Sequence, residues 1–306
     1  MWSYTLRRLL ATIPTLLAVI TVSYFLLHAA PGGPFDSERI VSAAVLANLQ
    51  AKYHLDLPPW QQYLYYLNNL LHGDLGASFR YADWSVNDLV AAALPVSLSI
   101  GGISLLLAFV LGVGLGIAAA LRQNSAADYA VMLVGNLGSV FPSFVIGPML
   151  VLVFAISLHW LPAGGWDAFA PRFMVLPIAL LTFINVATIA RVMRGSLIEV
   201  MHSNFIRTAR AKGLPTRIVV LRHALKPALL PVISVLGPLA IGSITAALVT
   251  ETVFSLPGIG KLIVNGAGNR DYTLVLGLVV LITVLAVTLN LLVDLAYAAL
   301  DPKIRY

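Results

Sequence analysis

The stretch "NFIRTARAKGLPTRIVVLRHALKPALLP", residues 204–231, carries Arg207, Arg210, Lys212, Arg217, Arg222 and Lys226 and no acid. The text on either side is dominated by Leu, Val, Ala and Ile. A basic, water-loving segment between oily runs is expected where two membrane-crossing helices are joined on one side of a bilayer.

The rest of the chain agrees. Of 306 residues, 59% are hydrophobic and only 10% charged, whereas a soluble domain has about a quarter of its residues charged. Mean hydropathy is +0.90. Apolar runs at 9–30, 96–121, 131–158, 173–190, 228–249 and 273–299 are each long enough to cross a hydrocarbon core of roughly 30 Å as helix. The expected fold is therefore an all-α integral membrane protein with six transmembrane helices. The first run follows Arg7 and Arg8 and is longer than the roughly 7–15 residues of a signal-peptide core, so it is read as a retained anchor. The chain has no cysteine, which excludes disulfides and thiolate chemistry.

Charge sets the orientation. With a cytoplasmic N-terminus, thirteen of the 19 Lys and Arg residues fall in the inner segments and six in the outer ones, the bias that topology follows. Both termini are then cytoplasmic. The net charge of +6 is accounted for by topology, and no nucleic-acid partner is expected.

Two parts lie outside the spans. The outer one, 31–95, opens with "PGGPF". It continues through "SAAVLANLQAKYHL" (42–55), read as an amphipathic helix capped by Ser42, and "PPWQQYLYYLNNLLHGDLGASF" (58–79). Pro59 suits a helix's first turn and Gly73 its end, while Trp60, Tyr63, Tyr65 and Tyr66 are of the type that favours a membrane–water interface. This platform is either a lid on the bundle or a dock for an external partner. The inner part, 191–227, reads as the fourth span running on through "RVMRGSLIEVMHSNFIRTARAK", a tight turn at Gly213-Leu214-Pro215, and a second helix. Gly213 sits where positive φ is wanted, and Pro215 opens the new helix. Lipid attraction explains the charge at about 1 kcal/mol per residue, but not the two-helix shape, which fits a knob for a cytosolic partner's cleft.

This segment resembles the inner-membrane permease subunits of binding-protein-dependent ABC importers. Arg207-Thr208-Ala209 stands where the family's E-A-A lies and Gly213 where its glycine lies, while the family's closing Leu-Pro is shifted to "LKP" at 225–227. "FIRTARAKGLP" followed by "RHALKPALLPV" is the form typical of the peptide branch. "RRLLATIPTLL" (7–17), "HGDLGASF" (72–79), "LPGIGKL" (256–262), "NRDYTLV" (269–275) and "DPKIRY" (301–306) follow the same branch in order along nearly the whole chain. The resemblance implies the type I ABC-importer permease architecture and a place in the bacterial inner membrane. It implies a second, C-type permease subunit, two cytosolic ATPases of D and F type, and a periplasmic or lipid-anchored binding protein that delivers the peptide. ATP and Mg²⁺ would be held by the ATPases and no cofactor by this chain. The contact with an ATPase would fall on Asn204, Phe205, Arg207, Thr208, Ala209, Arg210, Lys212, Gly213, Leu214, Pro215 and Arg217. Oligopeptides are the implied substrate, with dipeptide, murein-peptide and nickel importers using similar permeases.

Enzymatic signatures are lacking. "GIGKL" at 258–262 has neither the first glycine nor the Ser/Thr of a phosphate-binding loop, and neither H-E-x-x-H nor G-x-S-x-G occurs. The chain is not expected to be an enzyme. A self-contained secondary transporter would show internal repeats and midplane charge, and neither stands out. For the translocation path, "GNLGSVFPSFVIGP" (135–148) and "IGSITAALVTE" (241–251) combine small residues with apolar ones. They nominate Phe141, Ser143, Ser243, Thr250 and Glu251, against a reading as ordinary helix packing. Glu251 is either a gate or peptide contact or a structural acid. Asp294, four residues after Asn290 on one helix face, is read as structural.

Overall fold

A computed structural model describes residues 2–29, 56–81 and 83–300. The expected helix at 42–55 and the terminal "DPKIRY" lie outside the described residues. Ten helices follow in order: α1 (Trp2–Ala29), α2 (Pro59–Leu71), α3 (Val86–Leu121), α4 (Ala126–Val140), α5 (Ser143–Leu150), α6 (Pro171–Met201), α7 (Asn204–Ala211), α8 (Leu225–Val253), α9 (Ile259–Gly268) and α10 (Tyr272–Leu300). A wider, π-type helix, Val151–Ser157, extends α5. A single turn, Thr216–Ile218, and a second π-type stretch, Val219–Ala224, lead into α8.

Five helices (α1, α3, α6, α8 with its lead-in, and α10) are long and apolar enough to cross a bilayer. The run expected as one span at 131–158, with Pro142 and Pro148 able to bend it, is two helices bent by 101°. Pro142 explains the break. It offers no N–H to a continuing helix and drives the preceding Phe141 to an extended conformation, φ −82° and ψ 124°. The bent pair still crosses the bundle. It starts beside the end of α3 and leads into the 159–170 loop, where the Gly165 N–H bonds the Phe254 carbonyl at the far end of α8. Six passes result.

Helix starts also moved. Helix α3 begins at Val86, ten residues before the expected span, because Ser85 and Asp88 form a reciprocal capping box there. Pro95 is carried inside the helix. The expected continuous helix through 191–212 breaks at His202 and Ser203, where Ser203 is extended at ψ 155°.

The bundle is organised around α6. Of its most apolar window 61% is buried, against 11% in α1. Burial of apolar area gives little drive between helices in hydrocarbon, so close van der Waals packing has to hold them. Helix α3 provides it with buried Ser104, Ala108, Gly112 and Gly116, one small residue every fourth position and thus on one face. A Cβ on Gly112 would lie 2.7 Å from Ile189 Cβ, and one on Gly116 2.7 Å from both the Ala190 carbonyl oxygen and Met193 Cβ. The two helices touch backbone to side chain.

Gly116→Leu should therefore destabilise the folded chain by about 1–3 kcal/mol through overpacking. Gly114→Leu, on an exposed position with open space around it, should leave the thermal unfolding midpoint in detergent unchanged.

Candidate functional site

The basic helix–turn–helix stands on the bundle core. Ile206 and Ala209 of α7 are buried, with Val219 and Ala224 of the returning segment, in one cluster with Met193 and Leu197 of α6. The opposite face of α7 is open: Phe205 is 49% exposed, and Asn204, Arg207, Thr208, Arg210, Lys212, Pro215 and Arg217 are exposed as well. Ala209 thus faces inward and Leu214 is half-buried against the same cluster, so neither shares the exposed face of the other nominated residues. Gly213 has φ +77°, with nothing within 4 Å of where a Cβ would sit. Its N–H closes the turn on the Arg210 carbonyl at 2.9 Å. Among the described residues no carboxylate pairs with Arg207, Arg210, Lys212 or Arg217. The result is a rigid projection carrying one aromatic ring and several uncompensated cations.

Just above it lies a feature the sequence reading missed. Asp128, at the start of α4, is buried and receives the Arg194 guanidinium through two contacts, Nε–Oδ1 at 2.5 Å and Nη2–Oδ2 at 2.6 Å. The Asn124 N–H adds a third at 2.9 Å. Arg194 had been counted only as an inside charge; it bolts α4 to α6. The S-x-x-D spacing of Ser125 and Asp128 was the available sign of the helix start, but the arginine partner is 66 positions away.

The nominated path residues divide. Ser243 and Glu251 line one mainly apolar groove of about 170 Å³ between α3, α8, α9 and α10, together with Ser97, Gly101 and Thr288. Thr250 is fully buried and does not line that groove. Phe141 and Ser143 sit at the α4–α5 bend, outside it. Ser243 Oγ accepts a 2.8 Å hydrogen bond from Asn185 Nδ2 on α6, both groups being buried. Asn185, a lone amide within an apolar span, was a signal of such interhelical bonding.

Glu251 is 1% exposed, and its surroundings explain why a carboxylate is tolerated. Ser97 Oγ donates to Oε1 at 2.6 Å and the Lys261 N–H to Oε2 at 3.2 Å. The Gly260 N–H bonds the carboxylate as well, and the Ile259 N–H bonds Ser97 Oγ at 2.9 Å. These are the first amides of α9, which a helix leaves without internal partners. Glu251 and Ser97 cap that helix from across the bundle. "LPGIGKL" needs its glycines here, because a Cβ on Gly258 would run into the Glu251 carboxylate and one on Gly260 would come within 2.6 Å of Leu248 Cα. Both Glu251 oxygens are thus engaged, by Ser97 and by the start of α9.

"HGDLGASF" and "NRDYTLV" meet in the same manner. Buried Asp271 caps α10 through the Leu274 N–H at 3.1 Å. It also accepts from the Ser78 hydroxyl, from the Phe79 N–H at 3.1 Å and from the Arg80 N–H at 3.3 Å. On α10, Asn290 lies against Gly237 of α8, where a Cβ would be 2.6 Å from its Oδ1.

Glu251→Ala should lower stability by about 1–3 kcal/mol, since it strands the α9 amides and the Ser97 hydroxyl. Thr252→Ala, whose exposed hydroxyl bonds only the preceding turn, should leave the unfolding midpoint in detergent near that of the parent.

Residues 112–306 match the family described as binding-protein-dependent transport system inner membrane component. Over 306 residues, all of both chains, the sequence is 56% identical to the oligopeptide transport system permease protein OppB of Escherichia coli strain K12. It is 40% identical over 302 residues to the dipeptide transport system permease protein DppB of Bacillus subtilis, covering 99% of this chain and 97% of the other. Its fold is similar to a chain of the inward-facing MetNI methionine ABC transporter, with a TM-score of 0.60 at 17% identity over 70% of this chain and 96% of that one.

Proposed function

The chain belongs to the family of binding-protein-dependent transport system inner membrane components, and from that premise we propose that it is the permease subunit of an ATP-driven oligopeptide importer. In this reading it forms half of a translocation pathway, the other half coming from a related C-type permease. Two ATPases of D and F type dock beneath, and a binding protein delivers peptide to the opposite face. ATP and Mg²⁺ belong to the ATPases. Full-length identity to an oligopeptide permease, higher than that to the dipeptide relative, supports the substrate class.

One observation carries the coupling role. Ile206 and Ala209 pin α7 to the central helix α6, while Phe205, Arg207, Arg210 and Lys212 face away from the protein. A push on the outer face of α7 is therefore delivered to α6, and through the α3 contact to the rest of the bundle. The Lys/Arg distribution supports a cytoplasmic position for this face and for both termini. The path follows the groove of Ser97, Gly101, Ser243 and Glu251, while Phe141 and Ser143 lie at the α4–α5 bend outside it. Its wall is mostly apolar, which suits a route for peptides of varied side chains.

Gly213→Val tests the coupling role. A β-branched residue resists the left-handed conformation by roughly 1–2 kcal/mol, and the surrounding space is open, so the turn rather than the bundle should be disturbed. Membrane insertion should be normal, while uptake of a labelled pentapeptide and the ATPase retained on purification should both fall about tenfold, the equivalent of roughly 1.4 kcal/mol. Unchanged uptake and retention would refute the coupling role.

A further inference from the structure

We infer that α2 is an interfacial helix whose apolar edge is immersed in the outer leaflet, a docking surface for uncharged lipid. Its sequence, "PWQQYLYYLNNLL", contains no Asp, Glu, Lys or Arg, and none of its residues is buried within the protein. Trp60, Leu64, Leu67 and Leu71 recur at i, i+4, i+7 and i+11, which places them along one edge. Three of the four are uncovered, Trp60 at 57%, Leu64 at 54% and Leu71 at 87% exposed, with Leu67 half-buried among them. Asn69, nine residues after Trp60 and so half a turn out of phase, lies on the opposite side of the helix.

The contact with α1 fixes the depth. Tyr63 Oη and Thr21 Oγ1 share a hydrogen bond of 2.6 Å. The Tyr63 ring also lies 5.5 Å from Phe25, and Tyr66 lies 6.0 Å from Tyr24. Thr21 stands ~12 Å below Ala29 along the helix, within the Leu10–Ala29 stretch that crosses the membrane. Helix α2 is thus held beside the outer part of a membrane span, where a platform standing clear of the bilayer could not reach. Val22, Phe25 and Leu26 of α1 are also uncovered, so the α2 edge continues a surface already facing lipid. A helix without charge has no attraction to anionic headgroups; burial of its apolar edge has to hold it at the boundary. The proposed orientation of the chain enters only in naming the leaflet, and depth can be read without any transport.

The absence of cysteine lets Leu64→Cys, Leu71→Cys and Asn69→Cys each carry a single NBD label. The full chain, assembled with its partner subunits, would be placed in nanodiscs of phosphatidylcholine, with and without phosphatidylglycerol. Lipid-borne nitroxide should quench the labels at 64 and 71 several-fold more than the label at 69, and aqueous iodide should show the reverse order. Both patterns should be indifferent to phosphatidylglycerol. Equal quenching at all three sites would overturn the inference. So would shielding of 64 and 71 from both quenchers, which would mean that protein covers the edge, or a requirement for the anionic lipid. Loss of peptide uptake with the quenching pattern intact would count against the importer reading alone.

Discussion

The most extensive helix contact in the bundle, α3 against α6, is the constraint on which the other contacts depend. In hydrocarbon the surrounding solvent is as oily as the side chains, so helices adhere through contact distance and polar bonds. Ser104, Ala108, Gly112 and Gly116 bring α6 close enough for its backbone to be met directly. With α6 so placed, its polar groups become available to other helices: Asn185 to Ser243 of α8 and Arg194 to Asp128 of α4. Its last turns then meet α7, which has no independent support. An eight-residue helix is too short to persist alone in water, so the projecting surface owes its shape to the bundle beneath it.

Three buried carboxylates perform one physical task. Asp128 and Asp271 sit at the starts of α4 and α10, and Glu251, near the end of α8, faces the start of α9; each accepts a backbone N–H at or just before a helix start. Each also holds a group from a distant part of the chain: Arg194, Ser97 and Ser78 respectively. Ionised groups at membrane depth are expensive and are commonly read as functional. Here the donors arranged around Glu251 account for it as a joint. The glycines of "LPGIGKL" are the space that joint requires.

Local patterns in the sequence translated well. The six apolar runs became six passes, Pro59 and Gly73 bound α2 as expected, and Gly213 took positive φ within a helix–turn–helix. What the sequence could not convey was pairing over distance. Pro142 advertised a bend, but not one of 101°. Glu251 advertised an acid near a span end, while its serine partner lies 154 positions earlier. Ala209 matched a family motif by position, yet which face of α7 it occupied depended on where α6 and the 219–224 segment packed. Periodicity reports that a helix has faces; the neighbours decide which face is inside.

The junction of Ser78 with Asp271 has a consequence for how the chain is made. The two residues are 193 positions apart, and at ordinary synthesis rates the first waits on the order of 10–40 s for the second. Until Asp271 arrives, the loop between α2 and α3 has its own closing bonds, such as the Val86 N–H to the Gly76 carbonyl and the Arg80 N–H to Ser78 Oγ, but no tie to the last helix. Arrival of the final helix supplies that tie, joining the loop to the start of α10. A chain cut short before it would keep that loop's internal bonds yet leave the loop unmoored from the bundle, with Ser78 lacking the carboxylate that anchors it.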